Sequence, residues 1–234
     1  MVMGMSDTRS RVGSHIGLIG GMGPKSTVHF YDMLLKRTEA NTDQEHIPIT
    51  LLIDPTIPDR TAYVLNEGES PWPKLKANID KLKRLDVGCY GVLCNTAHVF
   101  EDAFKLEGME FISMPREAVK RLEGDVVLLS TKGTVKGKVY ARYDGKPHRI
   151  ENPDDDTLGM VNEAIYRIKA GEERDVVAND VVRHLVDAYN KDTTFLLACT
   201  ELSMISDYIA EQFTVVDSVA CLVDALIQWH KGHS

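Results

Sequence analysis

Short, almost continuously apolar runs recur along the chain, and each leads into a turn and then a stretch of helical periodicity. "HIGLIGG" (15–21), "IPITLLID" (47–54) and "VGCYGVLC" (87–94) read as buried strands, separated by helical stretches at about 24–40, 73–86 and 96–107. The rhythm restarts at "DVVLLSTKGT" (125–134), runs through helical stretches from about 135, over 154–171 and over 175–190, and reaches the strand "TTFLLAC" (193–199). "SVACLVDALIQWH" belongs to a last helix. Strands that are apolar on both faces and alternate with helices predict an α/β fold with mostly parallel sheets, covered on both sides.

Within 154–171, Leu158, Val161, Ile165 and Ile168 recur at spacings of three and four and share one helix face, with Gly171 as the expected C-cap. The segment "PTIPDRTAYVLNEGESPWP" (55–73) carries four prolines and is expected to be a long ordered loop. Loops of that length inside a compact domain tend to be functional. Residues 1–14 lack periodicity and read as a disordered leader. No run approaches the ~18 apolar residues of a membrane span and no apolar signal core is present, which predicts a cytoplasmic chain.

The two halves of the pattern match each other. "IGLIGGMGPKST", from Ile16, and "VVLLSTKGTVKG", from Val126, are each a strand, a Gly/Thr-rich turn and the start of a helix. "VLCNTAH" and "LLACTEL" then place Cys94 and Cys199 at equivalent points, each followed by a threonine within two positions. The expectation is two similar α/β domains related by a pseudo-twofold axis, one formed by 15–114 plus 217–234 and the other by 115–216. Open α/β sheets bind ligands at the carboxyl ends of their strands, so two thiols would flank one ligand in the cleft between the domains.

Composition narrows the choice of ligand. Asp and Glu outnumber Lys and Arg by 35 to 27, a net charge of −8, which argues against nucleic acid or an anionic membrane surface as partner. An acidic substrate would need a locally basic site. The four cysteines form no C-x-x-C pair, and Cys94 with His98 lacks further ligands at recognisable spacing, so no metal site is expected.

Cys94 and Cys199 each end a strand and precede a helix, where backbone N–H groups and the helix dipole favour a thiolate and lower its pKa from ~8.5. Asn95, Thr96 and Thr200 add hydrogen-bond donors beside them. Cys89, inside its strand, and Cys221, in the last helix, read as core, and His98 as a packing or capping residue. Gly21, Gly23 and Ser26, with Asp54 ending the next strand, approximate a dinucleotide fingerprint. Ser26 in place of the third glycine, and Pro24 without an N–H, favour a smaller anion. Arg60 is either a solvated loop residue or a carboxylate partner, and Lys169 either a cation favoured near its helix end or a ligand of the site.

Taken together, "GLIGGMGPKST" (17–27), "DQEH" (43–46), "PTIPDRTAY" (55–63), "CNTAH" (94–98), "TKGTV" (131–135), "IYRIKAG" (165–171) and "CTELS" (199–203) resemble the aspartate/glutamate racemase family. The likeness is greatest to its aspartate racemases, which work without pyridoxal phosphate. The resemblance implies a cofactor-independent homodimer of two-domain chains that interconverts L- and D-aspartate or a related acidic amino acid. It implies Cys94 and Cys199 as the two acid/base residues, Arg60 and Lys169 as carboxylate ligands, and Met22, Asn95, Thr96, Thr131, Thr134 and Thr200 as further substrate contacts. Asp54 stands where the close aspartate racemases lead one to expect asparagine, and its charge would repel an acidic side chain unless it is paired or turned away. Lys132 and Ala198 depart from the family pattern in tolerable ways, Lys132 as a possible partner for Asp54. The other readings are a cysteine-dependent hydrolase or isomerase of another small carboxylated compound, of hydantoin or maleate type, and a non-catalytic amino-acid-binding protein.

Overall fold

The computed structural model describes residues 12–145 and 147–233. The first half runs β1 (Ile16–Gly20), α1 (Pro24–Arg37), β2 (Ile49–Ile53), α2 (Arg60–Val64), α3 (Trp72–Arg84), β3 (Cys89–Val92), α4 (Glu101–Lys105), β4 (Glu110–Phe111) and α5 (Met114–Val119). The second runs β5 (Val126–Ser130), α6 (Lys132–Lys136), β6 (Ile150–Glu151), α7 (Asp155–Ala170), α8 (Arg174–Ala188), β7 (Thr194–Ala198), α9 (Thr200–Ser203), α10 (Ser206–Ala210), β8 (Thr214–Asp217) and α11 (Ser218–Lys231).

The strands form two four-stranded sheets, ordered β2-β1-β3-β4 and β6-β5-β7-β8. Every strand pairing within them is parallel. The order is the same in both sheets, so the repeat seen in the sequence is a repeat of topology. In each sheet the chain leaves the first strand to one side and the third to the other, which opens a crevice between them at their carboxyl ends.

Alternation along each strand explains the apolar runs. Ile16, Leu18 and Cys89 pack on one face of the first sheet with residues of α1, α5 and α11, including Phe30, Met114 and Leu222. Ile19, Tyr90 and Val92 pack on the other, against Leu75, Ile79 and Leu82 of α3. In the second sheet Leu129, Phe195 and Leu197 meet α7 and α8, whereas Leu128, Leu196 and Ala198 face Ala118, Tyr140 and Cys221. Both faces are covered, so a period-2 polar alternation has no place.

Several expectations are corrected. Helix α7 buries Thr157, Val161, Ala164, Ile165 and Ile168, a stripe that leaves Leu158 at its margin. Asp154 caps its start through the Thr157 N–H, and Gly171 ends it at φ 94°. The segment 55–73 is not one loop: Asp59 accepts a hydrogen bond from the Ala62 N–H and starts α2, and Pro73 sits in the first turn of α3, where a missing N–H costs nothing. The helix expected at 96–107 is a 3-10 turn, Thr96–Phe100, followed by the short α4. Of the leader expected at 1–14, residues 12–14 form a 3-10 turn with Ser14 buried, and residues 1–11 lie outside the described residues.

Candidate active site

Four turns converge where the two crevices meet. Gly21–Gly23 follow β1, Cys94–Thr96 follow β3, Thr131 follows β5, and Cys199–Glu201 follow β7. Gly21 lies at φ 92°, and a Cβ there would come within 2.5 Å of the Asp54 backbone, so only glycine lets this turn pass the end of β2. Thr27 reinforces the turn by accepting the Gly21 N–H at 2.9 Å and donating to the Gly23 carbonyl at 2.7 Å.

Cys94 and Cys199 line the same inner pocket, together with Met22, Asp59, Arg60, Thr61, Asn95, Thr96, Thr131, Lys169, Thr200 and Glu201. Its free volume is about 10 Å³, the space of about one water. Met22, Asp59, Arg60, Lys169 and Glu201 also line an adjoining chamber of about 490 Å³, whose other walls include Lys25, Pro55, Ile57, Ile168 and Met204. The site is therefore a tight throat walled by both thiols, opening into a larger chamber.

The two cations expected to meet carboxylates are both here. Arg60 is 7% exposed, and its guanidinium donates to the carbonyls of Met22 (2.9 Å), Pro58 (3.0 Å) and Ile57 (3.2 Å), leaving its buried Nε without a partner. Burial opposes its charge, but the Cys94 sulfur, then Asp59 and Glu201, outweigh that and raise its pKa. Lys169 follows the same logic: burial lowers its pKa, and the attraction of Glu201, Cys199 and Cys94 more than restores it. Its ammonium also stands 5.1 Å from the centre of the Tyr166 ring.

The threonines form a hydroxyl cluster at the seam between the halves. Thr96 Oγ1 lies 3.0 Å from Thr131 Oγ1 and 2.9 Å from Thr134 Oγ1, and Thr131 caps α6 by accepting the Thr134 N–H at 3.1 Å. Thr134 supports this cluster but does not line the pocket. The Asn95 amide is committed elsewhere, accepting from Tyr140 Oη at 2.5 Å and donating to Ser218 Oγ at 3.1 Å, so it ties the turn to α11.

Two expectations about charge change. Cys199 caps a helix of only four residues, and its thiol is pushed well up, by burial first and then by the Glu201 carboxylate, with Lys169 opposing. A short helix end does not offset an anion in contact. Asp54 is absent from the pocket walls: it accepts from Thr56 N (3.0 Å), Thr56 Oγ1 (2.6 Å) and Asn78 Nδ2 (2.7 Å), which hold its carboxyl below the usual range. Lys132 is exposed and not its partner.

Cys89 and Cys221 are core as expected, and burial raises both thiols. His98 is a packing residue: its Nδ1–H donates to the Cys94 carbonyl at 2.9 Å, its ring lies against Phe104 and Phe111, and burial pushes its pKa down to about 4. Among the described residues no group of His, Cys, Asp and Glu is arranged to hold a metal ion.

Three residues of the inner pocket, Asp59, Thr61 and Glu201, were passed over in the sequence. Glu201 stands inside "CTELS", directly after the thiol and threonine that drew attention, and an acid in a segment otherwise built for burial was the available signal. Ser26, read as a departure from a dinucleotide turn, is its partner, donating to Glu201 Oε1 at 3.1 Å.

Comparison with known proteins agrees with the two-sheet α/β fold. The family model described as Asp/Glu/hydantoin racemase matches residues 19–226. The structure of Picrophilus torridus aspartate racemase is 30% identical in sequence, with a TM-score of 0.80 over 93% of this chain and 94% of that one. Broad specificity amino-acid racemase RacX of Bacillus subtilis is 26% identical over 233 residues, covering 93% of this chain and 99% of its own. An aspartate racemase homologue from Pyrococcus horikoshii OT3, 20% identical, shares the fold with a TM-score of 0.69 over 93% of this chain and 99% of that one.

Proposed function

The chain belongs to the Asp/Glu/hydantoin racemase family and is an amino-acid racemase, and we propose that it interconverts L- and D-aspartate or a related acidic amino acid by a two-thiol mechanism that uses no cofactor. The observation that carries this reading is the pair Cys94 and Cys199 on the walls of one pocket that also holds Arg60 and Lys169.

Racemisation removes the α-proton from one face of the amino acid and returns a proton to the opposite face. One sulfur acts as thiolate base while the other, as thiol, supplies the new proton; after the reaction the two have exchanged protonation states, and the reverse reaction restores them. Their titrations are coupled and belong to the pair. The carbanion that forms is stabilised by positive charge and oriented donors around the α-carboxylate. Arg60, Lys169 and the hydroxyls of Thr96, Thr131 and Thr200 supply these, with Met22 packing beside the substrate.

The inner pocket holds about one water, so an amino acid enters only as the two halves part, with its side chain directed toward the larger chamber. Lys25 gives that chamber a cation suited to a side-chain carboxylate. The division into 15–114 plus 217–234 and 115–216 makes the seam a hinge. A cytoplasmic homodimer completes the reading. Four free thiols suit a reducing compartment, and among the described residues no helix is long and apolar enough to cross a membrane.

The test is chiral chromatography of L-aspartate and L-glutamate incubated with the metal-free, pyridoxal-free protein. The D-enantiomer of at least one is expected, with Cys94→Ser and Cys199→Ser each reducing the rate by ~10³-fold or more. Hydrolysis or isomerisation of a hydantoin or of maleate without racemisation, or binding of the acids without turnover, contradicts the proposal.

A further inference from the structure

Glu201 has no part in the two-thiol scheme as just described, yet it is built into the centre of the site. It is 2% exposed, two residues beyond Cys199 on α9. Its Oε2 lies 3.1 Å from Cys199 Sγ and 3.1 Å from Thr200 Oγ1, and its Oε1 accepts from Ser26 Oγ, on α1 of the other half, at 3.1 Å. A Cβ on Gly23 would come within 3.0 Å of Oε1, so the first turn leaves room for this carboxylate. The charged and titratable groups facing it are Lys169 from α7, Arg60 and its neighbour Asp59 from the start of α2, Cys94 from the turn after β3, and Lys25 at the chamber wall.

A sulfur and a carboxylate oxygen at 3.1 Å cannot both carry an unshielded negative charge. The pair holds a proton, and a thiol, with an ordinary pKa of ~8.5 against ~4.3 for a carboxyl, keeps it, with Cys199 Sγ donating to Glu201 Oε2 and Ser26 Oγ within hydrogen-bond distance of the other oxygen. On the other wall the Cys94 sulfur faces the Arg60 guanidinium. The two thiols, equivalent by topology, are unequal by surroundings.

We infer that Glu201 is a positioning residue that keeps the proton on Cys199, so the substrate-free enzyme presents Cys199 as the acid and Cys94, beside Arg60, as the base. In the first turnover Cys94 takes the α-proton and the Cys199 proton passes to the opposite face of the carbanion. The resulting Cys199 thiolate, in contact with Glu201, regains a proton from substrate in the reverse reaction, or from water in the chamber that Glu201 also lines, as Cys94 releases its own. The inference rests on the two-thiol reading for its meaning in catalysis, but its test does not require turnover.

The experiment is alkylation of the full chain by iodoacetamide across pH, with the Cys199 peptide followed by mass spectrometry. In the unsubstituted protein the Cys199 midpoint is expected above the ordinary thiol value of ~8.5. Glu201→Gln, which keeps the shape and removes the charge, is expected to lower that midpoint by about one unit or more, while Glu201→Asp, which keeps the charge, retains most of the elevation. A midpoint unmoved by Glu201→Gln, or moved equally by Gln and Asp, overturns the inference. If Glu201→Gln fails to fold, the unsubstituted protein decides: a Cys199 midpoint at or below ~8.5 contradicts it. A Cys199 response of the expected kind in a protein that does not racemise would leave this inference standing and remove the racemase reading.

Discussion

At the scale of single residues the site separates groups that touch the reaction from groups that hold others in place. In the proposed mechanism Arg60 does both, since its fork is spent on the carbonyls of Met22, Ile57 and Pro58 while its charge faces Cys94. Lysine offers a charge without a planar fork, so Arg60→Lys is expected to lower kcat/KM by roughly 10²-fold, and to loosen residues 55–59 in hydrogen exchange. Asp54→Asn is expected to leave KM for aspartate within about twofold and to cost ~1 kcal/mol in urea unfolding, because its contacts are with Thr56 and Asn78. These residues differed in legibility. The cysteines were found by repeat position, and Arg60 and Lys169 by motif, because each stands in a quotable run. Asp54 could be placed in the sequence but not aimed, since whether a carboxylate at a strand end faces the cleft depends on partners 2 and 24 residues away.

At the scale of elements, the seam between the halves is set by close backbone approach. A Cβ on Gly133, in α6, would fall 2.7 Å from Thr61 Cα in α2, a contact that no side-chain rotation relieves. Gly133→Ala is therefore expected to push α6 and α2 apart and reduce racemisation by ~10-fold or more, with the helical circular dichroism unchanged. The long buried strands were legible because five apolar residues in a row admit little else. The edge strands β4 and β6, of two residues each, carry no pattern, and exist because a parallel neighbour offers them hydrogen bonds. Helix α2, within 55–73, was hidden by prolines that read as breakers, while α3, expected from 73, starts at Trp72 with Pro73 in its first turn.

At the scale of the whole molecule, two sheets of identical strand order bring the ends of β3 and β7 to one cleft, and the topology accounts for two thiols in one pocket. That arrangement was legible as a repeat, whereas the electrostatic difference between its two walls was not, because Glu201 has no counterpart acid beside Cys94 in the sequence.

The buried His98, behind Cys94, links global stability to pH. Its pKa is near 4 in the folded chain against ~6.5 unfolded, so its contribution is complete above ~6.5 and is lost as pH falls toward ~4, where the unfolded state binds the extra proton. The loss is at most about 3 kcal/mol, and urea unfolding of His98→Asn is expected to show a shallower slope across that window.

The measurement closest to the central claim is proton NMR of L- and D-aspartate in deuterium oxide with the unsubstituted protein, Cys94→Ser and Cys199→Ser. The unsubstituted protein is expected to exchange the α-proton of both enantiomers for deuterium and bring them to equal amounts, and each variant to form the opposite enantiomer at least ~10³-fold more slowly. Full racemisation by either single variant would contradict the two-thiol account.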